Sequence, residues 1–236
     1  MAEITLIYST KAPAGTFDMG KIQFFTKEQQ IIFDQIAQND FLRSHFYFTG
    51  GTALSSFYLH HRESDDLDFF SVSRFDNQTI FTLMQEWGSK YHFFSTSREI
   101  EVTYVFNLEF NNKTSLKVDF GYYPYARLEK GSLAGNIEID SLFDIAVNKL
   151  LTVSQRNEVK DFVDLYFLLQ KFTVWDLRDG VTVKFKTQLE PFLLASDFLK
   201  AEDFEYLPKM TVPLKLSDLK VFFRQKAKEL GEKAIK

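Results

Sequence analysis

The chain has 236 residues, no cysteine and a formal net charge of −4. The missing thiols exclude disulfides, zinc–thiolate centres and thiol nucleophiles, and the acidic balance excludes a general nucleic-acid coat. Hydrophobic content of 45% with 27 Phe predicts a packed, largely aromatic core, and no apolar run reaches the length of a membrane span.

In chain order, residues 1–10 predict a first strand. The same segment lacks a basic stretch followed by an apolar one, so no secretory signal is expected and the expected location is the cytoplasm. Thr26-Lys27-Glu28-Gln29 reads as a capping box, followed by Ile31, Ile32, Ile36 and Ala37 at helical spacing. His45–Thr49 predicts a short strand ending at Gly50-Gly51. Thr52–His60 predicts a helix, Leu67–Ser71 a strand and Phe75–Lys90 a helix. Glu99–Phe110 is one long β-prone run; Asn111-Asn112-Lys113 is a turn signal, and Thr114–Tyr122 completes a hairpin. Gly131, Gly135 and Asn136 mark a loop. Helices are then predicted from Ser141 through Leu151, over Asn157–Gln170, and over 174–186, 188–199 and 217–233, the last capped by Ser217.

The predicted class is α+β. A mixed sheet with flanking helices occupies residues 1–135, and a helical region, 136–236, packs against it over a shared cleft. Residues 1–139 hold 12 basic and 17 acidic side chains, whereas 215–236 hold seven basic and three acidic ones. A local basic surface on an acidic protein suits an enzyme that meets one polyanionic substrate; a solvated terminal helix explains the tail equally well.

The chemistry concentrates in Gly50-Gly51-Thr52 and in Asp66-Leu67-Asp68. A strand, two glycines and a helix start turn backbone N–H groups toward an anion, and Thr52 adds a hydroxyl. In a strand, Asp66 and Asp68 leave the same face, while Asp65 turns to solvent. Two carboxylates beside Phe69 and Phe70 are costly to hold without a cation, and hard divalent ions take carboxylate oxygens. Asp119, within Lys117-Val118-Asp119-Phe120, supplies a third carboxylate from another strand. Three such groups around Mg2+ or Mn2+ suit in-line transfer of a phosphoryl or nucleotidyl group. The four histidines, His45, His60, His61 and His92, read as structural or surface residues, and no Walker-type or dinucleotide glycine loop is present.

Residues 50–70 resemble the signature of the DNA-polymerase-β-like nucleotidyltransferases. The version here, Phe48-Thr49-Gly50-Gly51-Thr52-Ala53-Leu54 followed by Arg62, Ser64, Asp66 and Asp68, is similar more narrowly to the AbiEii-type toxin nucleotidyltransferases. The later run of Lys149, Arg156, Lys160, Asp161 and Asp164 matches that group's helical signature, so the resemblance covers about residues 45–170. It implies a metal-dependent transfer of NMP from an NTP to an acceptor hydroxyl, with an RNA (tRNA 3′ end) as the leading acceptor and a cognate antitoxin as partner. It also implies site roles. Asp66, Asp68 and Asp119 hold metal; Gly50, Gly51, Thr52 and Lys149 bind nucleotide; Arg62 and Ser64 bind nucleotide or fix the loop; and Asp161 orients Lys149 or acts as base. Two alternatives stand beside this reading: an inactive nucleotide- or partner-binding module of the same fold, and a transferase acting on a small cationic acceptor such as an aminoglycoside.

Overall fold

The computed structural model describes residues 16–17, 22 and 24–234, so the strand expected at 1–10 lies outside the described residues. Its strands are β1 (Thr16–Phe17), β2 (Tyr47–Thr49), β3 (Leu67–Ser71), β4 (Phe93–Ile100), β5 (Thr103–Phe110), β6 (Ser115–Tyr122), β7 (Ser132–Ala134) and β8 (Ile137–Ile139). Its helices are α1 (Lys27–Gln38), α2 (Asp40–His45), α3 (Gly50–Leu54), α4 (Asn77–Tyr91), α5 (Leu142–Gln155), α6 (Val159–Leu168), α7 (Val174–Phe185), α8 (Pro191–Leu199) and α9 (Leu216–Ala234). A π-helical turn, Ser55–Leu59, extends α3.

One mixed sheet runs in the order β1-β7-β8-β2-β3-β6-β5-β4. The pair that matters most is β3 with β6. They are parallel, with Asp68 opposite Asp119 and Phe69 opposite Phe120. The strand period of two then sorts each strand into two faces. Leu67, Phe69 and Ser71 of β3 and Leu116, Val118 and Phe120 of β6 are buried on one face. Asp68, Lys117 and Asp119 leave the other and line a cleft.

The buried face explains the phenylalanine content. Phe69 stacks on Phe120 at 5.5 Å, and Phe33 of α1 meets Phe48 edge-on at 5.2 Å. Each such side chain removed from water contributes about 2 kcal/mol. The capping box holds as expected: Thr26 accepts from Gln29 N, and Gln29 returns the bond to Thr26 N. A second aromatic centre, with Phe198 and Phe162 edge-on to Phe223, ties α8 and α6 to α9.

Several expectations are corrected. The run 99–110 is not one strand; Glu101-Val102 turns it, with Glu101 in the left-handed region (φ 54°), and adds β4 as an edge strand. The segment around Gly135-Asn136 is not merely a loop but the turn of the β7–β8 hairpin. The expected boundary at 135/136 therefore falls inside a hairpin, and β8, on its far side, pairs in parallel with β2. Two three-residue strands are too short to show a period in sequence. The helix expected from Thr52 starts at Gly50 and ends in the π turn, so His60 is its left-handed cap and His61 lies beyond it. The last helix begins at Leu216, which places Ser217 inside it rather than at its cap. α2 was not foreseen; Asn39 caps it by accepting from Leu42 N.

Candidate active site

The cleft has a volume of about 370 Å3 and lies between the polar face of β3 and β6 on one side and α5 with the start of α6 on the other. Its floor begins at Gly50-Gly51. Gly50 sits at φ 77°, and a Cβ there would lie 2.1 Å from Asp68 Oδ2, so both the backbone angle and the carboxylate require glycine. At Gly51 an added Cβ would lie 2.6 Å from the Arg62 guanidinium. The two glycines bring the start of α3 against the carboxylate strand, and its first N–H groups have no intrahelical acceptor.

Asp66, Asp68 and Asp119 all line this cleft. Burial, and then the neighbouring Asp119, push the Asp68 carboxyl up to about 6. Asp119 is raised for the same first reason, burial, and its Oδ1 is buried without a hydrogen-bond partner. The three do not form a ready cage: among the described residues no three metal-ligating side chains are gathered around one point. Lys117 explains part of this. Its Nζ lies 2.9 Å from Asp119 Oδ2 and 3.2 Å from Asp66 Oδ2. Sequence reading passed over Lys117, although its i,i+2 spacing from Asp119 already placed both on one face.

The opposite wall is a buried ionic network. Lys149 of α5 contacts Asp161 Oδ1 at 2.7 Å and Asp164 Oδ2 at 2.6 Å. Arg62 forks onto Asp164 through Nε (2.6 Å) and a terminal nitrogen (2.9 Å), and His61 Nε2 lies 2.8 Å from the same carboxylate. Arg156, half-exposed at the cleft edge, donates to Asp161 Oδ2 at 2.7 Å. Burial works against every one of these charges. The cations nevertheless hold Asp164 well below the usual carboxylate range and lower Asp161, while Asp164 and Asp161 raise Lys149.

This geometry gives four of the expected site residues structural partners. Arg62, only 3% exposed, donates to Asp164 and to the Glu63 carbonyl, contacts that fix the 60–66 segment, and it also lines the cleft. Thr52 is buried outside the cleft lining; its hydroxyl donates to the Asp66 carbonyl and lies 2.9 Å from Ser64 Oγ, which ties the glycine turn to the carboxylate strand. Asp161 is ion-paired on both oxygens, to Lys149 and to Arg156. Lys149 lines the cleft with much of its charge already met by Asp161 and Asp164. Asp65 is exposed, because it lies in the loop before β3 begins at Leu67. His61, read as structural, proves to be a buried member of the network. Two aromatic rings, Phe70 and Tyr123, stack at 4.7 Å and complete the lining, a surface on which a base can stack.

A mixed sheet that sets paired carboxylates beside a glycine-started helix, in a cleft closed by a helical layer, defines a nucleotidyltransferase. The family profile described as "Nucleotidyl transferase AbiEii toxin, Type IV TA system" matches residues 31–215. The chain belongs to this AbiEii nucleotidyltransferase toxin family. It is 30% identical over 193 residues to an uncharacterized protein of Aquifex aeolicus, covering 79% of this chain and 88% of that one. Its fold is similar to that of MenT4, a nucleotidyltransferase toxin of Mycobacterium tuberculosis, with a TM-score of 0.57, 17% identity, and 86% and 83% of the two chains covered. The fold is likewise similar to JHP933 of Helicobacter pylori, with a TM-score of 0.53, 18% identity, and 87% and 89% covered. Among the described residues no helix is long and apolar enough to cross a membrane.

Proposed function

We propose that this enzyme is a divalent-metal-dependent toxin that transfers NMP from an NTP to a hydroxyl of an RNA, with the 3′ end of tRNA as acceptor, and that a cognate antitoxin restrains it in the cytoplasm. One observation carries the chemistry: Asp66, Asp68 and Asp119 share a cleft with Gly50-Gly51, so a cation site and a phosphate site adjoin. The donor set fits Mg2+ or Mn2+, because it is all carboxylate oxygen and because Asp119 Oδ1 is buried without a partner. Asp66 and Asp68, with Asp119 beside them, are the residues that would hold the metal. When bound, the metal lowers the pKa of an attacking hydroxyl and offsets phosphate charge.

The chain's own groups do the rest. The first backbone N–H groups of α3, at Gly51 and Thr52, are the donors that would meet the phosphates and favour developing negative charge at the helix start. Arg156 and Lys160 line the cleft nearest solvent and offer positive charge to an incoming polyanion. Asp161 and Asp164 fix Lys149 at the phosphate side. Phe70 and Tyr123 give the nucleobase an apolar wall. The helical layer narrows the cleft and limits water around the reacting phosphate. In this reading residues 1–135 carry the reacting face and 136–236 complete the cleft, with β8 lent to the shared sheet.

The test supplies each of four α-32P-labelled NTPs, Mg2+ and total RNA to the purified protein. Label should enter the tRNA fraction with one or more NTPs and should vanish in Asp68→Asn. Label in an aminoglycoside but not in RNA would replace the acceptor, and no transfer to either would remove the proposal.

A further inference from the structure

Lys117 reaches the cleft carboxylates from within their own face of the sheet. It shares β6 with Asp119, two residues away, and takes one oxygen from Asp119 and one from Asp66. A divalent ion held by the same two carboxylates would sit beside that ammonium, whether it took these oxygens or the unpartnered Asp119 Oδ1, and two cations repel at such short range.

Its surroundings also make Lys117 displaceable. Its side chain is 34% exposed, as is that of Asp66, and it opens into the cleft. Lys149 differs: its side chain is 10% exposed and lies between two fully buried aspartates. Lys184 differs too, paired at 2.6 Å with Asp144 with both side chains fully buried. Moving either of those would leave buried charge unpaired, whereas Lys117 can swing on its four-carbon stem into solvent or toward an anion in the cleft.

We infer that Lys117 is a resident counter-cation that competes with the divalent metal for Asp66 and Asp119, so that it sets how tightly the empty cleft holds metal. This rests on the metal site proposed above and adds a specificity-determining residue to it. Lys117 keeps the carboxylates paired when no metal is bound and weakens metal binding until another anion can receive its ammonium.

The experiment is a Mn2+ titration of nucleotide-free protein, read by the EPR signal of free ion. Wild type is compared with Lys117→Met, Lys117→Gln and Lys117→Arg, with circular dichroism recording that each is folded. Removing the charge should tighten Mn2+ binding by about tenfold or more, while Lys117→Arg stays near wild type. Equal or weaker binding by the two neutral variants overturns the inference and leaves the metal site standing. Should neither wild type nor any variant bind Mn2+, the metal site itself fails and this inference with it. If only one neutral variant folds, its affinity alone decides.

Discussion

Lys149 Nζ lies 2.6 Å from Asp164 Oδ2, with Lys149 in the cleft wall and Asp164 fully buried. Asp164 also receives Arg62 and stands beside His61, so one carboxylate joins the segment after α3 to both α5 and α6. The pairing decides what each residue's loss will do.

Replacing Asp164 by Ala strands the buried Arg62 and leaves Lys149 with Asp161 alone. Loss of one partner from such a network costs about 3–5 kcal/mol. Urea unfolding should show that drop, with activity falling in step because Arg62 no longer holds the 60–66 segment. A variant with wild-type stability would contradict the network.

Asp68 behaves in the opposite way. Its carboxyl is held up to about 6 by burial and by Asp119, so ionised Asp68 is a burden on the fold near neutral pH. Asp68→Asn should abolish NMP transfer by roughly two orders of magnitude or more while thermal stability stays equal or rises. A large fall in melting temperature would mean that Asp68 is structural.

Gly50→Ala introduces a Cβ at φ 77° and 2.1 Å from Asp68 Oδ2. Strain of this kind costs about 1–3 kcal/mol. Transfer activity should be lost by more than the stability change explains, since the Cβ displaces the carboxylate. Gly50→Ala with full activity would show that the turn and Asp68 are not coupled.

Asp140 gives a pH signature away from the cleft chemistry. Burial first, and then Asp144, push its carboxyl up to about 7, with Thr49 Oγ1 donating to Oδ2 at 2.9 Å and Oδ1 unpartnered. A carboxyl whose folded pKa is raised binds more protons folded than unfolded, so its contribution to stability declines as pH rises from about 4 through about 7. Asp161 and Asp164 act with the opposite sign: their lowered values stabilise above the unfolded pKa, and that stability is lost on acidification. Relative to wild type, Asp140→Asn should gain on the order of 2–4 kcal/mol between about pH 5 and pH 8. Urea midpoints at the two ends measure it, and parallel profiles for the two proteins would refute the assignment.

Much of the fold was legible where the signal is local. The Thr26 capping box, the Leu67–Ser71 strand and the helices α4 to α9 follow from spacings that lie within a few residues of each other. The β7–β8 hairpin and the turn at Glu101-Val102 were not legible, because three-residue strands carry no period and a β-prone run does not show where it reverses. At the site, Asp66, Asp68 and Gly50 could be named from their pattern, but the partners through which Thr52, Arg62 and Lys117 hold the site could not. Each of those residues depends on a partner far away in sequence, as Arg62 depends on Asp164.

By itself, then, the sequence determined the class of chemistry. Short-range spacing sets which face a side chain leaves, and that was enough to put paired carboxylates beside a glycine turn. Only the tertiary structure decided which charges are free. Register between β3 and β6 set Asp119 opposite Asp68, and the docking of α5 and α6 buried Lys149 against Asp161 and Asp164. Pairing among charges is a matter of distances across the fold, and the strong burial of some groups beside the openness of others is what leaves Lys117 able to move.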